Sequence, residues 1–175
     1  MRKSLIIFFL ATLTLNAVSQ NGNVKWLTIE EAEKLSKQSF RPMFIDAYTD
    51  WCGWCKKMDQ DTFTNPVIAE ILNTRFYPVK FNAEGKEDVT FLGQKFVNDG
   101  KSGKAHQLAI ALLNGQLSYP TVVFLTKQGD KFQVSPVPGY RQPKDMEMLL
   151  GFFADKAWEN GNWQEYSASF KGKIE

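Results

Sequence analysis

The stretch Trp51-Cys52-Gly53-Trp54-Cys55-Lys56 holds both cysteines of this 175-residue chain. Two thiols separated by two residues can close into a small disulfide ring and open again, so the pair can carry two electrons. A purely structural disulfide more often joins distant segments, because a disulfide that closes a longer loop stabilises a fold more. The spacing therefore favours a redox-active pair, with a structural disulfide as one alternative.

A zinc site is the other alternative for this motif. Two cysteines at this spacing form half of many zinc sites, but zinc usually takes four cysteine or histidine ligands, and only His106 remains to join them. We interpret His106 as an exposed helix residue, because it is far from the motif in sequence and has no evident partner. No metal site is therefore predicted.

The residues around the cysteines predict a strand that leads into a helix. The apolar run Met43–Tyr48 is typical of a buried strand, and the chain from Cys52 to about Gln60 has helical character. The N-terminus of a helix carries partial positive charge and free N–H groups, which favour a thiolate. Cys52 is thus the predicted nucleophile. Cys55, one turn later, is the predicted resolving thiol, and Lys56 adds positive potential as a supporting residue.

Asp46 is the one charged residue in the predicted strand Met43–Tyr48. A carboxylate in a central strand should be buried, and burial raises its pKa. Such an acid near Cys55 could accept the proton of the resolving thiol, which makes Asp46 a candidate catalytic residue. The alternative is a solvated or capping aspartate at the end of the strand.

The order of predicted elements along the chain indicates an α/β fold. Strand–helix–strand units at the front imply parallel pairing, and the turn at Gln128-Gly129-Asp130 implies an antiparallel pair at the back. The expected result is a central mixed β-sheet with helices on both faces. The predicted helices cover 28–39, 52–60, 66–72, 87–97, 105–113, 143–158 and 163–170, and the predicted strands cover 43–48, 76–82, 121–126 and 131–135.

The first nineteen residues match a secretory signal peptide. Arg2 and Lys3 precede an apolar run, and Ala17-Val18-Ser19 supplies small residues at a cleavage site. We expect cleavage after Ser19, a single domain over 20–175, and a periplasmic or secreted protein with no stable membrane insertion; an uncleaved anchor is the alternative.

Without Arg2 and Lys3, the 21 basic residues fall to 19 and equal the 19 acidic residues. This balance indicates neither a nucleic-acid nor a membrane-surface partner.

The string Asp46-Ala47-Tyr48-Thr49-Asp50-Trp51-Cys52-Gly53-Trp54-Cys55-Lys56 resembles the active-site segment of the thioredoxin superfamily. Tyr119-Pro120-Thr121 is similar to the family's cis-proline loop, Gly139 to its glycine turn, and Lys80 to the lysine that pairs with the buried acid. Among subfamilies, the chain is most similar to exported bacterial thioredoxin-like proteins and to the C-terminal thiol domain of the membrane thiol:disulfide interchange reductase.

The resemblance implies a thioredoxin-like fold with a helical insertion, about residues 84–105, before the cis-proline loop, and an extra C-terminal helix near 163–170. It implies that Pro120 is cis and lies beside the cysteines, and that Lys80 supports Asp46. A strand-starting proline and a solvated lysine are the alternatives. The implied substrate-binding residues are those around the cysteines and the proline: Trp51, Gly53, Trp54, Tyr119 and Pro120.

Two departures from the family pattern concern specificity. The dipeptide between the cysteines is Gly53-Trp54, where thioredoxins have Gly-Pro, and this dipeptide tunes the redox potential. Tyr119 is bulkier than the residue usual before the proline, which would restrict the chains that lie along the site.

We expect an exported thiol–disulfide oxidoreductase that reduces or exchanges disulfides in other exported proteins. Its only cofactor would be its own Cys52–Cys55 disulfide, and a membrane thiol reductase is the candidate electron donor. A disulfide oxidase or isomerase is an alternative. A non-enzymatic thioredoxin-fold module that binds peptides is another.

Overall fold

The fold is known from a computed structural model that describes residues 22–175; the predicted signal peptide, residues 1–19, lies outside the described residues. The helices and strands follow in this order: α1 (Ile29–Gln38), β1 (Met43–Tyr48), α2 (Gly53–Asp61), α3 (Pro66–Arg75), β2 (Tyr77–Asn82), β3 (Val89–Phe91), β4 (Gln94–Phe96), α4 (Gln107–Leu112), β5 (Thr121–Gln128), β6 (Lys131–Pro138), α5 (Pro143–Ala154), a 3-10 turn (Ala157–Asn160) and α6 (Trp163–Ser169).

The main sheet has four strands in the order β2-β1-β5-β6. β1 pairs with β2 in parallel and with β5 in antiparallel, and β5 pairs with β6 in antiparallel. This is the mixed sheet that the sequence predicts. The carboxyl end of β1 and the amino end of β5 meet at one edge, because Ala47 pairs with Thr121. The cysteine loop, which follows β1 and carries Cys52, and the proline loop, which precedes β5 and carries Pro120, both lie at this edge.

Local capping signals determine where several helices begin. Thr28 and Glu31 form the predicted capping box at the start of α1. The Asn65 side chain accepts the Val67 N–H at 2.9 Å, and Pro66 occupies the first turn of α3. These interactions are local, which is why the sequence alone places both helix starts correctly.

Alternate side chains of β1 enter two separate cores, one on each face of the sheet. Met43, Ile45 and Ala47 join the core that α1 and α4 cover. Phe44 joins the opposite core, which α2, α3 and α5 cover. Helices therefore lie on both faces, as expected. By the same alternation Asp46 faces α2, the helix that begins at the cysteines.

The predicted helix over 87–97 is wrong, because the insertion contains a β-hairpin there. β3 and β4 pair in antiparallel through a two-residue turn, in which Leu92 and Gly93 have positive φ angles of 51° and 77°. The hairpin is held by α1: the N–H groups of Thr90 and Leu92 donate to the side chains of Glu30 and Glu33. The insertion is therefore mainly strand and turn, with one short helix, α4, after it.

The C-terminal segment forms the predicted short helix, α6, and packs against α5. Trp163 and Tyr166 contact Phe152 of α5 with ring centroids 5.2 and 5.4 Å apart. The buried Glu147 of α5 accepts the backbone N–H groups of Lys173 and Ile174 at 2.6 and 3.0 Å. Within residues 22–175 no helix is long and apolar enough to cross a membrane.

Candidate active site

The two cysteines form a disulfide at the start of α2. Cys52 is the N-cap residue with extended backbone angles, and its Sγ accepts the Cys55 N–H at 3.1 Å. The sulfur therefore occupies the position of a capping oxygen, where the free N–H groups and the dipole of the helix stabilise negative charge. This is the local geometry that the sequence predicts. The assignment of Cys52 as nucleophile and Cys55 as resolving thiol stays a prediction.

The cysteines are buried, but the tryptophans beside them are exposed. Cys52 and Cys55 keep 3% and 2% of their surface accessible, against 65% for Trp51 and 60% for Trp54. Gly53 has no atom within 4 Å of the position that a Cβ would take, so the turn itself does not require glycine. The surface around the disulfide is thus apolar, aromatic and open beside Gly53.

Asp46 is fully buried and is held by Lys80. The two residues are register partners in the parallel ladder of β1 and β2, and Lys80 Nζ lies 2.5 Å from Asp46 Oδ2. Burial raises the pKa of Asp46 from 3.8 to about 6, although the positive charge of Lys80 acts in the opposite direction. Asp46 Oδ1 is buried and accepts no hydrogen bond from the described residues. The predicted burial of Asp46 is confirmed and the solvated alternative is excluded, while its catalytic role stays a prediction.

Lys80 also donates to Asp59 of α2, so one ammonium group joins two carboxylates. Burial disfavours the charged lysine, but the two carboxylates outweigh this effect and raise the pKa of Lys80. Its Nζ lies 4.9 Å from the ring centroid of Tyr48 and 5.3 Å from that of Trp26. Lys80 is therefore the partner of Asp46 that the resemblance implies, and a solvated strand lysine is excluded.

The proline loop reaches the cysteine loop through an aromatic contact. The Tyr119–Pro120 peptide bond is cis, as the resemblance implies. The rings of Tyr119 and Trp51 meet edge to face at 6.0 Å between centroids. Gly139, at φ 95°, donates its N–H to Pro120 O at 2.8 Å and so joins the glycine turn to the loop. The structure thus brings the residues before Pro120 and before Cys52 together.

Three residues at the site were not identified from the sequence. Asp59 lies one turn after Cys55 on α2, so helical spacing could have indicated it. Glu84 accepts the Trp51 indole N–H at 3.0 Å, and after burial its charge is the second cause that raises the pKa of Tyr119. Tyr140 packs on Trp54 at 5.4 Å between ring centroids. No local pattern indicates the last two, because both contacts join distant segments.

Of the two positive charges in the first turns of α2, those of Lys56 and Lys57, one is neutralised by a neighbouring carboxylate. Lys57 forms a salt bridge with Asp61 at 2.6 Å, and Asp61 also accepts the hydroxyl of Tyr140 at 2.8 Å. Lys56 is exposed and forms no salt bridge among the described residues. Lys56 therefore remains the candidate supporting cation near the cysteines, and this role stays a prediction.

The interpretation of His106 as an exposed residue is wrong, since the side chain is 1% exposed. His106 caps α4: its Nδ1 accepts the Leu108 N–H at 3.1 Å, and its Nε2 lies 3.1 Å from the carbonyl oxygen of Glu87. Both ring nitrogens therefore have a hydrogen-bonding partner within the fold. Among the described residues no group of three or more His, Cys, Asp or Glu side chains is arranged to hold a metal.

Comparison with known families and sequences places the chain among thioredoxin-like proteins. The family model Thioredox_DsbH, described as a protein of unknown function, DUF255, matches residues 14–165. A protein of Caenorhabditis elegans, uncharacterized protein B0495.5, is 28% identical over 154 residues, which are 86% of this chain and 19% of that protein. The thiol:disulfide interchange protein DsbD of Salmonella typhi is 25% identical over 115 residues, 65% of this chain and 17% of that protein. The chain thus spans less than a fifth of the length of these relatives.

Solved structures give the same fold. A thioredoxin from Thermus thermophilus aligns with a TM-score of 0.59 and 18% identity, over 80% of this chain and 94% of its own. A DsbH oxidoreductase aligns with a TM-score of 0.52 and 16% identity, over 85% and 91%. The thioredoxin-like fold is therefore confirmed.

Proposed function

The chain belongs to the Thioredox_DsbH family, and we propose that it is an exported thiol–disulfide oxidoreductase that reduces or exchanges disulfides in other exported proteins. One observation supports this most: a two-cysteine disulfide at the N-terminus of α2, flanked by exposed tryptophans and by the cis-proline loop. A purely structural disulfide would not require exposed apolar surface beside it.

The proposed reaction passes two electrons from the cysteine pair to the substrate. The Cys52 thiolate attacks one sulfur of a substrate disulfide; a mixed disulfide forms, and the other substrate sulfur leaves as a thiolate. The Cys55 thiolate then attacks Cys52 Sγ, which breaks the mixed disulfide and releases the second substrate sulfur. The two protons lost by the pair end on the two substrate sulfurs. The pair is left as the Cys52–Cys55 disulfide, and a dithiol donor must reduce it before the next turnover.

Asp46 would accept the proton of Cys55 in the second step. Its pKa of about 6, set mainly by burial, is close enough to neutrality for the group to gain and lose a proton during turnover. It faces α2, in which the side chain of Cys55 is buried. Lys80 would keep part of the Asp46 population ionised and would stabilise that charge. The substrate-binding residues would be Trp51, Gly53, Trp54, Tyr119 and Pro120.

The compartment and the electron donor complete the proposal. The sequence pattern of residues 1–19 supports export to a periplasm or to the outside of the cell. The proposed dithiol donor is a membrane thiol reductase, and the similarity to a thiol:disulfide interchange protein supports thiol–disulfide exchange as the chemistry of this step. The cysteine pair would be the only redox group. A redox potential of about −120 mV, typical of a strongly oxidising pair, would instead identify an oxidase.

Trapping tests the mechanism directly. In Cys55→Ala the resolving step is blocked, so the mixed disulfide between Cys52 and the substrate should accumulate. The adducts should appear as bands on a non-reducing gel and should disappear when dithiothreitol is added. The control is Cys52→Ser with Cys55→Ala, which should form none. A non-enzymatic peptide-binding module predicts no thiol-sensitive adduct in either variant, and that result would overturn the proposal.

A further inference from the structure

We propose that Trp51, Tyr119 and Glu84 form a subsite that takes a lysine or arginine side chain next to the reacting cysteine of the substrate. This inference rests on the proposed function and adds a substrate class to it. The subsite lies directly before Cys52 in the chain, so a substrate residue near the attacked sulfur would reach it.

The first argument is the arrangement of the two rings. Trp51 is 65% exposed, yet it is held in place by two contacts: its edge-to-face contact with Tyr119 and the hydrogen bond from its indole N–H to Glu84 Oε2 at 3.0 Å. An exposed indole fixed in this way offers a π face without the entropic cost of ordering it on binding. Such a face attracts a cation, and arginine and lysine are the cations that proteins supply.

The second argument is the charge beside the rings. Asn82 links two acidic residues here: its Nδ2 donates to the Asp50 carboxylate at 3.2 Å, and its Oδ1 accepts the backbone N–H of Glu84 at 3.0 Å. Neither Asp50 nor Glu84 forms a salt bridge with any residue in the described part of the chain. The Trp51 side of the site therefore carries negative charge that a substrate cation would neutralise.

The other tryptophan provides an internal comparison. Trp54 also packs on a tyrosine, Tyr140, and on this side the tyrosine, rather than the tryptophan, donates to a carboxylate, that of Asp61. Here, however, Lys57 neutralises the carboxylate and lies 6.0 Å from the centroid of the Tyr140 ring. The Trp54 side thus already holds its own cation, whereas within residues 22–175 no salt bridge supplies one to the Trp51 side. The two sides would therefore prefer different substrate residues, and the Trp51 side would prefer a basic one.

The test uses three disulfide peptides that differ only in the residues flanking the cysteine: lysine, glutamine or glutamate. The full chain reduces each peptide with dithiothreitol as donor, and kcat/KM is measured after the rate in dithiothreitol alone has been subtracted. The lysine peptide should exceed the glutamate peptide by on the order of tenfold at low ionic strength, and by less in about 0.5 M salt, because exposed charges are screened. Glu84→Gln retains an acceptor for the indole N–H but removes the charge, so it should lower the lysine-to-glutamate ratio about threefold.

The matched control is Glu159→Gln, which removes one exposed negative charge far along the chain and should leave the ratio unchanged. If all three peptides are reduced equally, or if Glu84→Gln leaves the ratio unchanged, the subsite is wrong while the proposed function stands. If the wild-type chain reduces none of the peptides, the proposed function itself fails.

Discussion

Asp46 and Lys80 face each other across the parallel ladder of β1 and β2, and their side chains meet at 2.5 Å. Asp46 is completely buried, whereas Lys80 extends toward Asp59 and the surface. The acid is thus isolated from water but lies within reach of one cation. Its raised pKa follows from this arrangement, because burial outweighs the attraction of Lys80.

The first prediction is that the contribution of Asp46 to the free energy of unfolding falls as pH rises from about 4 to about 6. Asp46 has a pKa of about 6 in the folded state against 3.8 for an ordinary aspartate, so the folded state binds the proton more tightly than the unfolded state in this range. A difference of about two pKa units corresponds to about 3 kcal/mol. Asp46→Asn should remove this pH-dependent contribution and should be more stable than the wild type at pH 8. Urea unfolding at several pH values measures both effects.

The control for this titration is Asp130→Asn, which changes a fully exposed aspartate in the β5–β6 turn. It should leave the difference in stability between pH 4 and pH 8 unchanged. If Asp46→Asn is less stable than the wild type at pH 8, the ionised form of Asp46 is favoured by folding, and the assigned direction of its pKa shift is wrong.

The second prediction concerns Lys80→Met. Lys80 is the group that lowers the pKa of Asp46 by charge and by hydrogen bonding, so its removal should raise that pKa above about 6. The pKa is measured from the carboxyl carbon shift of Asp46 by NMR. Lys95→Met, which removes an exposed lysine of the hairpin, should leave it unchanged. An unchanged value in Lys80→Met would mean that the ammonium group does not act on the carboxylate.

The sequence predicted those parts of the fold that depend on local signals. The capping box at Thr28, the cap at Asn65 and the apolar run of β1 are each contained in a few residues, and each appears where expected. The resemblance implied the cis bond before Pro120 and the pairing of Lys80, which composition and spacing could not show.

The parts that the sequence missed depend on contacts between distant segments. The hairpin of β3 and β4 is short, and its turn contains Leu92 at positive φ, which a β-hairpin signal rarely includes. Its position is fixed by α1, about 60 residues earlier. Glu84 reaches Trp51 because the carboxyl ends of β1 and β2 lie side by side, where Tyr48 pairs with Asn82. Such interactions leave no local pattern to detect.

The third prediction concerns the buried histidine of the insertion. His106→Ala removes the cap of α4 and leaves the carbonyl of Glu87 without its partner, so it should lower the free energy of unfolding by about 2 kcal/mol. His106→Asn keeps a capping acceptor and should recover about half of this loss. Both are measured by urea unfolding. Equal stabilities of the alanine variant and the wild type would mean that the cap contributes nothing.

The last prediction concerns the docking of α6 on α5. A Cβ at Gly151 would overlap the hydroxyl oxygen of Tyr166 and lie 2.9 Å from Cε2 of Phe170, so Gly151→Ala must displace both side chains. The displacement should lower the free energy of unfolding by about 1–3 kcal/mol.

Tyr166 gives this displacement a direct readout. Its pKa is raised to about 12, first by burial and then by the charge of Asp155, whose carboxylate accepts its hydroxyl at 3.1 Å. In Gly151→Ala the hydroxyl moves away from both influences, so the pKa of Tyr166 should fall toward 10.0, as seen in phenolate absorbance. The variant Tyr166→Phe identifies which signal in the titration belongs to Tyr166. Added to Gly151→Ala, Tyr166→Phe should cost less stability than it costs in the wild type, because the displaced hydroxyl no longer contributes. Additive costs, with the Tyr166 titration unchanged, would show that α6 does not depend on the absence of a side chain at Gly151.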